Sequence, residues 1–347
     1  MYELYARRPA TFDQCKDITD ICPVEATVLG YVPNKGSSYF FTICFAVLFL
    51  SAVGIGVWKR TWTYAATLGA GLLLETVGYI GRLQMNPNPW KSSAFQTQIC
   101  CIIIAPTFIC AAIYLTLKHV ALALNPALSR FHPRWYPRVF LPADLSCLII
   151  QAIGGGIAAA AKRDQPDLAT NGNRTIIAGV VLQVVVLLAF GTMGTDYYLR
   201  VKKYMHGSDV APESLRVWRD KKFRLFGFAV TVAYFAILTR CIYRLVPSFF
   251  KLRCSGIPMF LTSADARKCR IAEMAGGWGN HIMQDEPSFL VLDSTLVLVT
   301  GFCLTAFHPG IFFPQMAANM RRSKTTEGET PAESSSEERK VEHSRNA

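Results

Sequence analysis

Long apolar stretches recur along the chain and are separated by shorter polar stretches. Seven of them reach the roughly 20 residues that a helix needs to cross a hydrocarbon core of about 30 Å. They are rich in Leu and Ala and lack the alternation of a strand, so helices are favoured over a barrel. The pattern predicts an all-α polytopic membrane protein with seven transmembrane helices, at Ser37–Trp58, Trp62–Gln84, Phe95–Leu117, Val139–Ala161, Ile176–Leu199, Phe223–Val246 and Phe289–Phe313.

The composition agrees with a membrane protein, because 51% of the residues are hydrophobic and only 17% are charged. An ordinary soluble domain is less apolar. The net charge of +12 is spread over the loops between helices, which indicates membrane topology rather than nucleic-acid binding. Basic residues are concentrated in the loops on one side. The positive-inside rule therefore predicts an N-terminus outside and a C-terminus in the cytosol.

Three segments lie outside the seven-helix domain or form an unusual part of it. Residues 1–36 are predicted to be an extracellular segment without the apolar core of a signal peptide. Within the domain at 37–313, residues 247–288 form an exceptionally long outer loop. Residues 314–347 are rich in Ser and Glu and low in aromatic residues, which predicts a disordered cytosolic tail.

Two features on the predicted outer side concern covalent modification. The sequon at Asn173 (Asn-Arg-Thr) predicts N-glycosylation, because the surrounding loop is assigned to the outside. Disulfides persist in that environment, and four cysteines allow three pairings, which remain open. The four outer cysteines are Cys15, Cys22, Cys254 and Cys269.

Several costly polar side chains fall within the predicted helices. A carboxylate near the middle of the bilayer costs several kcal/mol unless it faces protein or water, so Glu75 is a candidate functional residue. The predicted topology places most of these polar groups in the outer half of the bundle, which suggests a polar cavity open toward the outer leaflet. The residues predicted to line a headgroup pocket there are Glu75, Arg82, Gln151, Gln183, Arg240 and Asp293.

A structural role is the alternative for each of these residues. Glu75 and Arg240 could form a buried ion pair that only holds helices together. Arg82 lies near a helix end and could extend to the lipid headgroups. Gln151 and Gln183 could be hydrogen-bond partners between helices.

The chain has no sequence signature of an enzyme. It lacks a P-loop, an HExxH motif and a Gly-x-Ser-x-Gly elbow, and its histidines have no metal-ligand spacing. The sequence therefore predicts no catalytic activity, no metal and no cofactor.

Short motifs follow one another through the predicted helices. In chain order they are Glu75-Thr-Val-Gly-Tyr-Ile-Gly-Arg82, Gln98 before Ala105-Pro106, Ala112-Ile-Tyr114, Asp144 before Gln151-Ala-Ile-Gly-Gly-Gly156, Gly179 with Gln183, Arg240-Cys-Ile-Tyr-Arg244, Gly277-Trp278, Glu286, Asp293 and His308-Pro-Gly310.

In this order the motifs resemble the fungal lipid-translocating exporter family, also called the resistance-to-aminocholesterol-like family. The resemblance extends from Tyr31 to Pro314. It implies a fungal multi-pass membrane protein whose relatives are tied to sphingoid-base release, sterol-like drug resistance or porphyrin handling. It supplies no catalytic mechanism.

One stretch departs from the family pattern. About twenty-five extra residues, roughly Pro247–Ile271, intervene before Ala272-Glu273 and the Gly277-Trp278 motif. This stretch has no clear periodicity. It is either a genuine outer loop closed by a disulfide or a retained intron in the gene model.

The resemblance and the polar groups together predict an exporter or translocator of amphipathic lipids such as sphingoid bases, or of lipophilic toxins, that confers resistance. A cationic amine would pair with Glu75 or Asp293. The alternative is a seven-helix sensor or receptor that regulates lipid or stress responses without transport. Membrane lipids and the substrate are the expected partners, with regulatory membrane proteins a further possibility, and the plasma membrane is the expected location.

Overall fold

The computed structural model describes residues 31–88, 91–124, 128–130, 133, 135–160, 166–206, 212–255 and 286–312. These residues form helices and their connections, with no strand among them, which confirms the all-α prediction. The helices are α1 (Lys35–Trp58), α2 (Trp62–Gln84), α3 (Ser92–Leu124), α4 (Trp135–Ala160), α5 (Pro166–Met205), α6 (Pro212–Arg219), α7 (Lys221–Ser255), α8 (Glu286–Phe289), a π-helical segment (Leu290–Thr295), α9 (Leu296–Ala306) and α10 (Pro309–Phe312).

Six helical stretches in the described part of the chain are long and apolar enough to cross a membrane. They lie in α1, α3, α4, α5, α7 and the final stretch Leu290–Phe312. The chain is therefore a multi-pass membrane protein. The remaining predicted span, α2, contains polar residues and several glycines that lower its hydropathy. The count of seven and the orientation of the termini remain predictions.

The two charged residues of α2, Glu75 and Arg82, lie on the face of the helix that is buried in the protein. The 23 residues of α2 correspond to a length of about 34 Å, enough to span the hydrocarbon. Twelve of them are buried in the protein. Side chains on this buried face do not need to suit lipid, and small residues on it let neighbouring helices approach closely. The apolar side chains of Leu73 and Ile80, on another face of α2, are exposed.

Helix α2 lies between α1 and α3 and packs extensively on both. A Cβ atom on Gly71 would lie 2.6 Å from Ile109 Cγ1 and 3.0 Å from the carbonyl oxygen of Ala105, so only glycine permits this approach of α3. On the other side of α2, the ring of Tyr79 stacks on that of Phe45 in α1, with centroids 5.6 Å apart. The three helices form one closely packed group.

Helices α4 and α5 form a second closely packed pair. Here a Cβ atom on Gly179 would lie 2.7 Å from Gln151 Cγ, and one on Gly154 would lie 2.7 Å from the backbone nitrogen of Ile176. Helix α7 packs against α3, α5 and α9. It therefore joins the two groups and the final helical stretch.

Most of the observed helices are longer than the predicted apolar segments, although α2 has the predicted bounds. Helix α5 begins at Pro166 rather than Ile176, and α7 ends at Ser255 rather than Val246. Hydropathy detects only the part of a helix inside the hydrocarbon, and a helix can continue into the polar region beyond it. Asn173 consequently lies within α5 and not in a loop as predicted. Its glycosylation remains a prediction.

Several predicted features lie outside the described residues. They comprise residues 1–30, 256–285 and 313–347, which include most of the N-terminal segment, most of the outer loop and the tail. Cys15, Cys22 and Cys269 fall in these ranges, and Cys254 lies in the last turn of α7 with its side chain outside the description. The disulfide pairings therefore stay open, and so does the choice between the two explanations of the extra stretch.

Candidate functional site: a buried cluster of charged residues

Glu75 lies on the buried face of α2 and is 1% exposed. Its Oε1 atom has no hydrogen-bond partner among the described residues. The ion pairs that the structure describes do not include it. The charged groups that act on Glu75 electrostatically are Arg240, Asp293 and Arg244. Glu75 is therefore a buried carboxylate in which at least one oxygen atom accepts no hydrogen bond from the described residues.

Arg240 of α7 and Asp293 of the π-helical segment form the innermost ion pair. Arg240 Nε lies 2.9 Å from Asp293 Oδ1, and Arg240 Nη2 donates to Asp293 Oδ2 at 3.2 Å. The same Nη2 donates to the carbonyl oxygen of Ile102 in α3 at 3.1 Å. Both charged side chains are almost fully buried. The ion pair and the carbonyl acceptor compensate part of the cost of burying Arg240, although its Nε donates no hydrogen bond among the described residues.

The π-helical segment positions Asp293. The hydroxyl of Thr295 donates to the carbonyl oxygen of Leu290 at 2.8 Å, five residues earlier, as the wider π turn allows. Asp293 and Ser294, both buried, contact different neighbours: Asp293 pairs with Arg240, and Ser294 Oγ accepts a hydrogen bond from the hydroxyl of Tyr79 in α2. Such segments occur frequently at functional sites.

A second ion pair lies at the end of the bundle where α1 begins and α2 ends. Arg82 Nη2 donates to Glu286 Oε1 at 2.7 Å and to the hydroxyl of Tyr31 at 3.1 Å. The guanidinium carbon lies 5.7 Å from the ring centroid of Tyr31 and 5.2 Å from that of Phe289. Arg82 is 1% exposed. The alternative that Arg82 extends to the lipid headgroups is therefore wrong for this conformation.

The two ion pairs and Glu75 belong to one group of charges. Arg82 lies two helical turns from Glu75 on α2, and Glu286 lies seven residues before Asp293. With every residue in its usual charge state, three acidic and three basic side chains sum to zero. We refer to this group as the buried charge cluster; it comprises Glu75, Arg82, Arg240, Arg244, Glu286 and Asp293.

The structure brings together only part of the predicted pocket. Glu75, Arg240 and Asp293 are neighbours, as the sequence predicted. Arg82 pairs with Glu286 instead. Glu286 belongs to the motifs that carry the family resemblance, but it was not among the residues predicted to line the pocket. Gln151 Nε2 donates to Gln183 Oε1 at 3.1 Å between α4 and α5. That contact is the interhelical hydrogen bond of the structural alternative. Binding of substrate by any of the six residues remains a prediction.

Other polar groups lie outside the cluster. Asp144 of α4 is buried and accepts a hydrogen bond from the hydroxyl of Tyr114 at 2.7 Å. Asp196 forms partly exposed ion pairs with Arg130 and Arg200, at 3.1 and 3.0 Å. Among the described residues there is no group of His, Cys, Asp or Glu that could hold a metal ion.

Closely packed apolar helices around a buried, charge-balanced cluster define a multi-pass membrane protein with a polar interior. The family of RTA1 like proteins matches this sequence over residues 68–249 and 267–316. This match covers more than half of the chain. The chain belongs to the RTA1-like family, which confirms the resemblance stated above.

Relatives of this chain come from fungi. A sphingoid long-chain base transporter, RSB1, of Saccharomyces cerevisiae is 26% identical over 309 residues, which cover 82% of this chain and 74% of the relative. A lipid-translocating exporter-like protein, RTA1, of Leptosphaeria maculans is 23% identical over 304 residues, covering 85% and 53%. Protoporphyrin uptake protein 1 of S. cerevisiae is 27% identical over 134 residues, covering 38% and 43%. No solved structure matches the chain.

The family match is interrupted where the sequence departs from the family pattern. Residues 250–266 lie between the two matched segments, inside the extra stretch identified from the motifs. Glu286 and Asp293 fall in the second matched segment, and Glu75, Arg82, Arg240 and Arg244 in the first. All six residues of the buried charge cluster therefore belong to the family-like part of the chain.

Proposed function

We propose that this protein exports or translocates amphipathic lipids with a cationic amine headgroup, such as sphingoid long-chain bases, or lipophilic toxins of similar chemistry. Glu75 is the counter-ion of the amine. The observation that carries the proposal is the state of Glu75: a buried carboxylate with an unpartnered oxygen atom among the described residues, beside two ion pairs formed by other residues. The names of the two relatives that match over most of this chain, a sphingoid long-chain base transporter and a lipid-translocating exporter-like protein, support a lipid substrate.

The chemistry of the cluster suits an ammonium group. An ammonium has three N–H donors and one positive charge, and Glu75 offers an acceptor oxygen that no described side chain uses. Arg240 has its own acceptors in Asp293 and the carbonyl oxygen of Ile102, so Glu75 is not its only anion. The alkyl chain of the substrate would lie among apolar side chains or in the surrounding lipid. This function requires binding and movement of the lipid and no catalysis. We place the protein in the plasma membrane.

The test uses purified protein in liposomes with a labelled sphingoid base. We expect Glu75→Gln to lower the transport rate at least tenfold, about 1.4 kcal/mol, while the thermal unfolding midpoint stays near that of the parent chain, because glutamine keeps the shape and removes the charge. Asp196→Asn is the matched control, an acid-to-amide change at a partly exposed pair outside the cluster, and should transport normally.

Two outcomes would contradict different parts of the proposal. Wild-type rates in Glu75→Gln would remove the proposed role of Glu75. If the parent chain moved no labelled base at any gradient, transport itself would be wrong, and the sensor or receptor alternative would gain. A neutral lipid of equal chain length, tested in parallel, shows whether the amine is recognised.

A further inference from the structure

The surroundings of Arg82 have the composition of a site that recognises cations. The guanidinium lies within about 6 Å of the ring centroids of Tyr31 and Phe289, and the Glu286 carboxylate accepts a hydrogen bond from it. Aromatic rings around a cation, with a carboxylate alongside, are the arrangement by which proteins bind alkylammonium groups. We name Tyr31, Glu286 and Phe289 the acidic aromatic box.

We propose that the acidic aromatic box is a binding site for the ammonium group of a cationic amphiphile, occupied in this conformation by the side chain of Arg82. The inference rests on the proposed transport of cationic amphiphiles and adds a second position to it. In this scheme the ammonium group of the ligand replaces the Arg82 guanidinium beside the two rings and donates to the Glu286 carboxylate. One cation replaces another, so the net charge of the box does not change.

The box is fixed by contacts that do not involve Arg82. Glu286 Oε1 also accepts a hydrogen bond from the backbone nitrogen of Asn34 at 2.9 Å. Asn86, just beyond α2, donates through Nδ2 to the carbonyl oxygen of Pro33 at 2.5 Å. Phe289 is buried one turn after Glu286 in α8. The acceptor and one ring are therefore held in place when Arg82 leaves.

The geometry allows a ligand to reach the acidic aromatic box and Arg82 to leave it. The Glu286 side chain is 18% exposed, so the box is open on one side. Arg82 lies in the last turn of α2, and a long side chain near a helix end can reach the polar region beyond it. The box lies two helical turns from Glu75 along α2, about 10 Å. An amine could occupy the box first and Glu75 second.

The experiment measures binding of dodecylamine to the purified full-length chain by the shift in thermal unfolding midpoint, with dodecanol as the uncharged probe of equal length. Arg82→Gln empties the box and leaves Glu286 without its cation. We expect this variant to bind dodecylamine about tenfold more tightly than the parent chain, since a mostly buried carboxylate and two rings then lack a cation. Dodecanol binding should be unchanged.

Two further variants make the result specific. Arg82→Lys keeps a cation in the box and should show no gain. The double variant Arg82→Gln with Glu286→Gln should lose the gain, because the anion is absent. Equal dodecylamine affinity in Arg82→Gln and the parent chain, or a gain that survives removal of Glu286, would overturn the proposal and leave the Arg82–Glu286 pair as a structural contact.

The same design remains informative if Arg82→Gln accumulates poorly. The variant is then produced with dodecylamine or dodecanol present, and we expect only the amine to restore the yield of folded protein. Absence of that rescue contradicts the proposal. Adding Glu75→Gln to Arg82→Gln should leave the gain in dodecylamine affinity in place, even though Glu75→Gln by itself lowers transport at least tenfold. A failure of the box and a failure of the proposed transport role are thereby distinguishable.

Discussion

At the scale of single residues, the structure separates ion pairs by their burial. Arg240 and Asp293 are 1% and 3% exposed, whereas the side chains of Arg130 and Asp196 are 65% and 39% exposed. Losing one member of a buried pair leaves an uncompensated charge in a dry environment. Losing one member of an exposed pair changes little, because water replaces the partner.

This contrast predicts the effect of one substitution made at both pairs. Asp293→Asn should destabilise the folded protein by about 3–5 kcal/mol, since it removes the anion that pairs with the buried Arg240. Asp196→Asn should change stability by less than about 1 kcal/mol. Thermal or denaturant unfolding in detergent measures both. Similar losses in the two variants would mean that the buried pair does not hold α7 to the final helical stretch.

The sequence identifies individual buried charges better than it identifies their partners. Glu75, Arg240 and Asp293 stand out because charged residues are rare in apolar segments. Glu286 does not, because it lies in a polar stretch, 204 positions from Arg82. No periodicity connects residues so far apart. Only the fold brings α8 to the end of α2.

At the scale of helices, glycine determines which face of α2 meets α3. Gly71 has no room for a Cβ atom, whereas a Cβ atom on Gly54 of α1 would have no neighbour within 4 Å. The same alanine substitution should therefore have opposite effects at the two positions, because helix propensity favours alanine by about 1 kcal/mol at both.

We expect Gly71→Ala to lower the stability of the protein by about 1–3 kcal/mol, since Ile109 or the α3 backbone has to move. Gly54→Ala should be neutral or slightly stabilising. Unfolding in detergent measures the difference. A Gly71→Ala variant as stable as Gly54→Ala would show that α2 and α3 tolerate a wider separation than the structure has.

The sequence predicts helix centres more reliably than helix ends or local geometry. Both ends of α2, Trp62 and Gln84, agree with the prediction because polar residues and prolines follow its apolar part. The beginning of α5 at Pro166 was missed, because its first turns are polar. The π-helical segment at Leu290–Thr295 has no counterpart in the apolar pattern, since it depends on contacts with α2 and α7.

At the scale of the whole molecule, the arrangement predicts which ends of the helices share a side of the membrane. Because α3, α4 and α5 follow one another as spans, the beginning of α3 and the end of α5 lie on opposite sides. Lys91 and Lys203 are exposed at these two ends. The distribution of basic residues predicts that Lys91 is outside and Lys203 in the cytosol.

Labelling with a membrane-impermeant maleimide tests this orientation. Lys91→Cys should react in intact cells, and Lys203→Cys only after the membrane is permeabilised, each measured against the labelling of the parent chain. The reverse pattern would contradict the predicted outside position of the N-terminus. It would leave the helix packing unaffected, because packing does not depend on which side of the bilayer faces the cytosol.

The charged, buried face of α2 also affects how the helix is inserted into the membrane. A helix with Glu75 and Arg82 on one face is poorly suited to enter the bilayer alone, so we expect it to insert together with α1, to which three residues connect it, Lys59–Thr61. Its acidic and basic groups then meet Arg240, Glu286 and Asp293 only after those later residues have been synthesised. Assembly of the bundle around α2 is thus expected to finish late, when the last helices reach partners placed near the beginning of the chain.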